Sequence, residues 1–257
     1  MKKSLKILSV GNSFAVDTSE YAPEIARELG YDSVRIGTLY IGGCSIKRHY
    51  SNAQANAKAY VYYVNDGEGW SETENVSIED AVKGEEWDFI SIQHGTGDGS
   101  RYTNEESYEK LEPLVEYIRE KASQRTKIAF NMAWVMEPDG THPEIRSYGG
   151  DQLRMYEQLA RITERIVKPT RGLDIVSPAG TAIQNARATG RFGNLCRDGF
   201  HLSKLHGRYI AALTFLGSLT REKLDSVTFA PDGVNEEERK TAIECAAKAI
   251  EKSFEIT

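Results

Sequence analysis

Five short apolar runs, at residues 5–10, 33–41, 87–93, 127–134 and 173–177, recur along the chain with longer amphipathic stretches between them. Near-continuous apolar runs of this length suit strands covered on both faces. The segments between and after them repeat apolar residues at helical spacing, which predicts helices over 19–30, 104–123, 152–167, 205–219 and 236–254. In the first, Ser19 reads as an N-cap and Gly30 as the C-terminal stop. In the second, Leu111, Leu114, Val115 and Ile118 share one face. Strand–helix alternation implies a parallel sheet with right-handed crossovers and helices on both sides. The expected fold is α/β, a three-layer α/β/α sandwich around a flavodoxin-like parallel sheet of about five strands.

Residues 58–80 break this rhythm. Apolar and polar residues alternate through Tyr60–Val64 and stop at Asn65-Asp66-Gly67, the pattern of an inserted hairpin or irregular excursion. An insertion there is expected beside the carboxyl ends of the strands, where open α/β sheets bind ligands. No repeat or linker divides the remainder, and 257 residues that are 40% hydrophobic suit one large domain over 1–257.

The net charge of −6 argues against nucleic acid or an anionic membrane as the main partner. No stretch approaches the roughly 20 apolar residues that span a bilayer. The apolar run after Met1-Lys2-Lys3 is too short for a signal peptide. The chain as it stands reads as cytoplasmic, or as secreted or periplasmic if a leader has been removed. Three widely spaced cysteines, Cys44, Cys196 and Cys245, fit neither a disulfide framework nor a zinc pattern, and free thiols are expected.

In a doubly wound sheet, reactive groups lie in the loops that follow strand C-termini. Those loops carry Gly11-Asn12-Ser13, Gly42-Gly43-Cys44-Ser45, Gln93-His94-Gly95 and Trp134, and the tail adds Arg197-Asp198-Gly199-Phe200-His201. Together they hold a hydroxyl, a general base, a carboxylate to orient it and several amide donors, the set that acyl transfer requires. Asp198 and His201 are three residues apart, so a single turn can bring the carboxylate to one ring nitrogen while the other faces a serine. Each residue also has a plainer reading. Ser13 fits a helix cap, His201 a structural histidine, and Asp198 a cap for a helix starting near Ser203.

GNSF, IGGCS, WDFISIQHG, MAW, YGGDQ, PAGTAIQNAR and RDGFHLS followed by GRY occur in this order between residues 11 and 209. On these motifs the chain resembles the SGNH/GDSL hydrolase superfamily, and more specifically an uncharacterised, domain-of-unknown-function branch of it. The resemblance implies that Ser13 is the nucleophile, His201 the general base and then acid, and Asp198 its orienter. It also implies an oxyanion hole with the Ser13 and Gly43 amides as two arms, Gly42 being the alternative to Gly43. The third arm departs from the superfamily pattern. G-x-N-D is met here by Gly95-Thr96-Gly97-Asp98, with Gly97 where the asparagine would stand. Gln93 is the expected substitute donor, because Q-H-G resembles the Q-G-E loop of some sugar-ester hydrolases in the superfamily.

Asn12, His94 and Trp134 are candidate substrate-binding residues; the alternatives are a turn or strand-end role for Asn12, a surface-loop histidine at 94 and a core or rim aromatic at 134, and Asn131 and the Tyr148–Asp151 loop are weaker candidates. Glu137, Asp139 and His142 match no common metal loop, so no metal is expected. No Lys-Ser/Thr pair follows the glycines at 95, 97 and 99, so they do not form a Walker A loop. The expected function is a cofactor-free serine hydrolase acting on a small O-acyl ester, such as an acetylated saccharide. The alternatives are a catalytically impaired carbohydrate-binding or sensor module on the same scaffold, and a flavodoxin-like nucleotide binder.

Overall fold

A computed structural model describes residues 3–257. These residues form seven strands: β1 (Ser4–Gly11), β2 (Ser33–Tyr40), β3 (Tyr60–Asn65), β4 (Trp70–Val76), β5 (Phe89–Ile92), β6 (Lys127–Asn131) and β7 (Ile175–Ser177). They make one sheet in the order β4-β3-β2-β1-β5-β6-β7. The five strands from β2 to β7 in that order pair in parallel, in the flavodoxin-like order the repeating pattern suggested. The full sheet is larger and mixed, because β3 pairs antiparallel with β2 and β4 antiparallel with β3. The stretch around 58–80 thus forms a hairpin whose backbone groups extend the sheet at the β2 edge. Outermost β4 carries Glu72 and Glu74 and is exposed along most of its length, a composition that discourages pairing with another chain.

Register sets the strand ends level. Gly11 stands opposite Tyr40, and Val10 opposite Ile92. The loops after β1, β2 and β5 therefore leave one edge of the sheet side by side. Ile7, Leu8, Val10, Ile36, Leu39, Ile90, Ile92 and Ile128 are completely buried between the helical layers.

The helices are α1 (Ser13–Ser19), α2 (Ala22–Glu28), α3 (Ile46–Gln54), α4 (Ile78–Lys83), α5 (Leu111–Lys121), α6 (Pro143–Ser147), α7 (Gln152–Ile162), α8 (Ala179–Ala188), α9 (His206–Thr220) and α10 (Glu236–Glu251). α9 packs against α1, α2, α8 and α10 in one layer, and α3, α4 and α5 pack together in another. Among the described residues, no helix is long and apolar enough to cross a membrane.

Several expected boundaries move, each for a local reason. The helix expected over 19–30 is the shorter α2 (Ala22–Glu28), with Pro23 in its first turn, because a separate helix, α1, is capped by Asn12 and runs up to Ser19. Ser19 does not cap; its hydroxyl donates to the Ala15 carbonyl inside α1, 2.7 Å away. The run expected to 134 leaves the sheet after Asn131, level with Ser177 at the end of its short partner β7. α8 has no apolar period to read, since every residue from Ala179 to Ala186 is buried. Cys44, Cys196 and Cys245 are free and buried.

Candidate active site

Ser13 is the first residue of α1, so its N–H has no carbonyl one turn earlier to bond. The cap itself is Asn12: its side-chain oxygen accepts the Phe14 N–H at 2.9 Å, and its amide nitrogen donates to the Cys44 carbonyl at 3.2 Å. The serine hydroxyl is thereby left free of capping. Asn12, considered above as a substrate contact, is instead buried and ties the β1 loop to the β2 loop.

The hydroxyl is met by the chain's distant tail. Residues 196–202 form a tight loop closed by a bridge between Cys196 and Leu202 and by the Arg197 N–H donating to the His201 carbonyl at 2.8 Å. Inside it, Asp198 Oδ1 accepts the His201 N–H at 2.8 Å and the Phe200 N–H at 3.3 Å, an Asx-type turn. Its other oxygen lies 2.7 Å from His201 Nδ1, and His201 Nε2 lies 2.8 Å from Ser13 Oγ. Partial burial alone would raise the Asp198 pKa, but the hydrogen bonds from the His201 side chain and from the loop backbone outweigh it and hold the carboxyl below its ordinary range. An ionised Asp198 draws the imidazole proton to Nδ1, leaving the Nε2 lone pair directed at the serine. Asp198 shapes this loop rather than capping α9, which begins at His206.

The loop is held from three sides. The buried Trp134 indole donates to the Phe200 carbonyl at 2.7 Å. The Glu137 N–H donates to the Gly199 carbonyl at 2.7 Å, while its carboxylate accepts the Cys196 N–H at 3.1 Å and pairs with Arg187 at 2.9 Å. Glu137 is therefore engaged in structure, and no cluster of three metal-binding side chains occurs among the described residues. Asp17, one turn after Ser13 and only 1% exposed, accepts from the Leu202 N–H at 2.9 Å, Arg197 at 3.0 Å and Arg208 Nη2 at 2.7 Å. Trp134 is thus not brought to the substrate face: it is 0% exposed and packs on Phe14 with ring centroids 4.7 Å apart.

On the opposite side, Gly43 adopts φ +62°, a conformation that favours glycine. Its N–H makes no hydrogen bond among the described residues, and its carbonyl accepts the Gly97 N–H at 2.6 Å. Gly42 is the more exposed of the two, at the tip of the turn. A Cβ on Gly97 would lie 2.4 Å from the Gly43 oxygen, so the asparagine expected from the superfamily pattern has no room at position 97.

The Gln93 side chain is engaged with Asn131. Its amide donates to the Asn131 carbonyl at 3.1 Å, and its oxygen accepts the Asn131 side chain at 2.8 Å. Asn131 also bonds Thr18 at 3.1 Å, so these residues form a buried knot joining β5, β6 and α1. His94 is likewise buried, edge-on to the Tyr108 ring at 5.1 Å, and burial pushes its pKa down to about 3. It is a neutral core histidine, not a pocket wall. In the loop 148–151, Asp151 caps α7 by accepting the Arg154 N–H at 3.0 Å.

A family described as a domain of unknown function (DUF4886) matches residues 6–249. A DUF4886 family protein from Bacteroides uniformis is 32% identical, with a TM-score of 0.92 over 99% of this chain and 98% of that one. The acetylxylan esterase Axe2 from Geobacillus stearothermophilus superposes with a TM-score of 0.53 at 15% identity, covering 85% of this chain and 95% of its own. A member of the lipolytic G-D-S-L family from Veillonella parvula gives 0.52 at 16% identity, covering 84% and 99%. No curated protein matches the sequence. The architecture is that of the SGNH/GDSL hydrolases.

Proposed function

The chain belongs to the DUF4886 family, and we propose that it is a serine hydrolase that cleaves ester bonds through Ser13, His201 and Asp198. The observation that carries the reading is the unbroken line of short contacts from Asp198 Oδ2 to His201 Nδ1 and from His201 Nε2 to Ser13 Oγ, 2.7 and 2.8 Å. Their order matches what acyl transfer needs. Ser13 Oγ bonds to the ester carbonyl carbon as its proton passes to His201 Nε2. Asp198 stabilises the imidazolium formed. The Ser13 and Gly43 N–H groups, neither engaged elsewhere among the described residues, receive the oxyanion. His201 then returns the proton to the departing alcohol. Water, deprotonated by the same histidine, releases the acid and restores Ser13.

The substrate we favour is a small O-acyl ester, an acetyl group on a carbohydrate or similar metabolite. Support comes from the shared architecture with an acetylxylan esterase, which is an analogy of fold. The test is release of p-nitrophenol from p-nitrophenyl acetate and of acetate from acetylated saccharides, beside a Ser13→Ala variant. Full activity in that variant refutes the mechanism. Wild-type protein that neither turns over these esters nor is labelled at Ser13 by a fluorophosphonate refutes the enzyme class.

The glycine at position 97 favours a second reading, a carbohydrate-binding module on a hydrolase scaffold. Glycan binding that survives Ser13→Ala, without any turnover by the wild type, would select it.

A further inference from the structure

A closed ring of contacts runs from Ser13 through His201, Phe200, His142 and Thr96 back to Asn12. His201 Nε2 is 2.8 Å from Ser13 Oγ, and the His201 ring lies 4.1 Å from Phe200, centroid to centroid. Phe200 is 5.4 Å from the His142 ring, and His142 Nε2 is 3.2 Å from Thr96 Oγ1. From Thr96 the chain closes the ring through its two neighbours. Gly97 donates to Gly43, and Gly95 presses on Asn12, where an added Cβ would lie 2.7 Å from the side-chain nitrogen. Thr96 is thus linked to the Gly43 turn through Gly97 and to His201 through His142 and Phe200, and it is only half-buried.

The hydrogen bonds fix what this hydroxyl can do. His142 Nδ1 accepts the Glu144 N–H at 3.2 Å, the cap of α6, so in the neutral ring the proton resides on Nε2. Burial lowers the His142 pKa and keeps that neutral form at pH 7. Nε2–H therefore donates to Thr96 Oγ1, and the threonine O–H is left as a donor with no acceptor among the described residues. A hydroxyl that accepts one hydrogen bond is polarised into a better donor. The other candidates for a third oxyanion contact each already donate within the protein: Gln93 to Asn131, the Asn12 amide to Cys44, and the Gly97 N–H to Gly43.

We infer that the Thr96 hydroxyl, oriented by His142, is the third donor to the ester carbonyl oxygen. The assignment rests on the serine-hydrolase reading above. A donor aimed at the oxygen gains strength as negative charge develops there, so it acts on the chemical step more than on substrate binding.

Fluorophosphonate labelling tests this without the natural substrate. Ser13 Oγ bonds to phosphorus, fluoride leaves, the serine proton passes to His201, and the phosphoryl oxygen occupies the place of the oxyanion. Thr96→Val keeps the shape and the backbone N–H but removes the hydroxyl. Its labelling rate, and its kcat on p-nitrophenyl acetate, are expected to fall about 10²-fold with KM within about threefold of wild type. Thr96→Ser restores most of both. Thr96→Val labelled at the wild-type rate overturns the assignment and leaves the hydrolase reading intact. Thr96→Ser as slow as Thr96→Val also overturns it, because the methyl group would then be what matters. A wild-type protein that is neither labelled at Ser13 nor active overturns the reading and the assignment together.

Discussion

Asp17 accepts the backbone N–H of Leu202 at 2.9 Å, which joins the helix that begins with Ser13 to the residue that follows His201. The same carboxylate receives Arg197, the residue before Asp198, and Arg208 at the start of α9. One buried charge therefore fixes both ends of the histidine loop relative to the serine. It also accounts for the arginines of the RDGFH and GRY motifs. Neutralising one member of a buried ion network leaves its partners uncompensated, at about 3–5 kcal/mol. Asp17→Asn is expected to lose stability of that order in urea unfolding, and the folded variant to lose kcat as the His201–Ser13 contact loosens. Wild-type stability and wild-type kcat together would show that the loop holds itself.

Asp198 makes a different kind of contribution, because it is exposed and bonds His201 directly, 2.7 Å from Nδ1. Asp198→Asn preserves size but presents an amide N–H or a weaker acceptor to the ring, which admits the wrong tautomer. A kcat loss of roughly 10³- to 10⁴-fold is expected, with a change in thermal midpoint of only a few degrees. Ester hydrolysis and differential scanning fluorimetry on the same preparation separate the two effects. A loss below tenfold would argue that the contact does not set the tautomer.

What was legible in the sequence follows from how local each signal is. Asp198 and His201 meet within one turn, so their spacing sufficed, and the five parallel strands announced themselves as apolar runs. Ser13 could be identified only together with that distant pair. Gln93 was misjudged because amides of Gln93, Asn12 and Asn131 are chemically alike, and only tertiary reach decides which of them faces a site. Trp134 takes the core role given as its alternative, a choice the sequence left open because an apolar run does not show where a strand leaves its sheet. Asp17 carries no motif, and its partners lie at the far end of the chain; Thr96 stands only at the variable position of the G-x-N-D match and acquires its environment from α6.

Two buried histidines give the fold a pH dependence. His49, bonded to Tyr60 at 2.9 Å, and His94, with no hydrogen bond from either nitrogen among the described residues, are each pushed down to about 3 by burial. In the unfolded chain each takes up a proton near pH 6.5. Between those values the unfolded state binds more protons, so stability falls as pH falls. Glu144 opposes this, since burial raises its pKa to about 6 and it gains a proton in the folded state first. Taking about 2 kcal/mol for each histidine against about 1 for Glu144, the net loss from pH 7 to pH 5 is about 3 kcal/mol. Urea midpoints at the two pH values measure it, and His94→Leu is expected to remove about two-thirds of the net slope. An unchanged slope in that variant would assign the effect to other groups.

Gly97 offers the sharpest test of how the site departs from its superfamily. If the missing asparagine were simply a lost donor, Gly97→Asn would raise activity. The backbone argues the reverse, because a Cβ at 97 falls 2.4 Å from the Gly43 oxygen and 3.0 Å from its carbonyl carbon. Backbone on both sides leaves no flexible side chain to yield, so the loop must retreat from the turn, breaking the 2.6 Å bond from Gly97 to Gly43. That bond positions the turn whose Gly43 N–H is proposed to receive the oxyanion, and retreat would misplace Thr96 as well. Gly97→Asn, and even Gly97→Ala, are expected to lower kcat by at least tenfold, a misplacement near 1 Å costing up to about 10². The thermal midpoint should fall in parallel. Gly97→Asn with increased kcat would show that the loop can accommodate the side chain and that the close approach to Gly43 is dispensable.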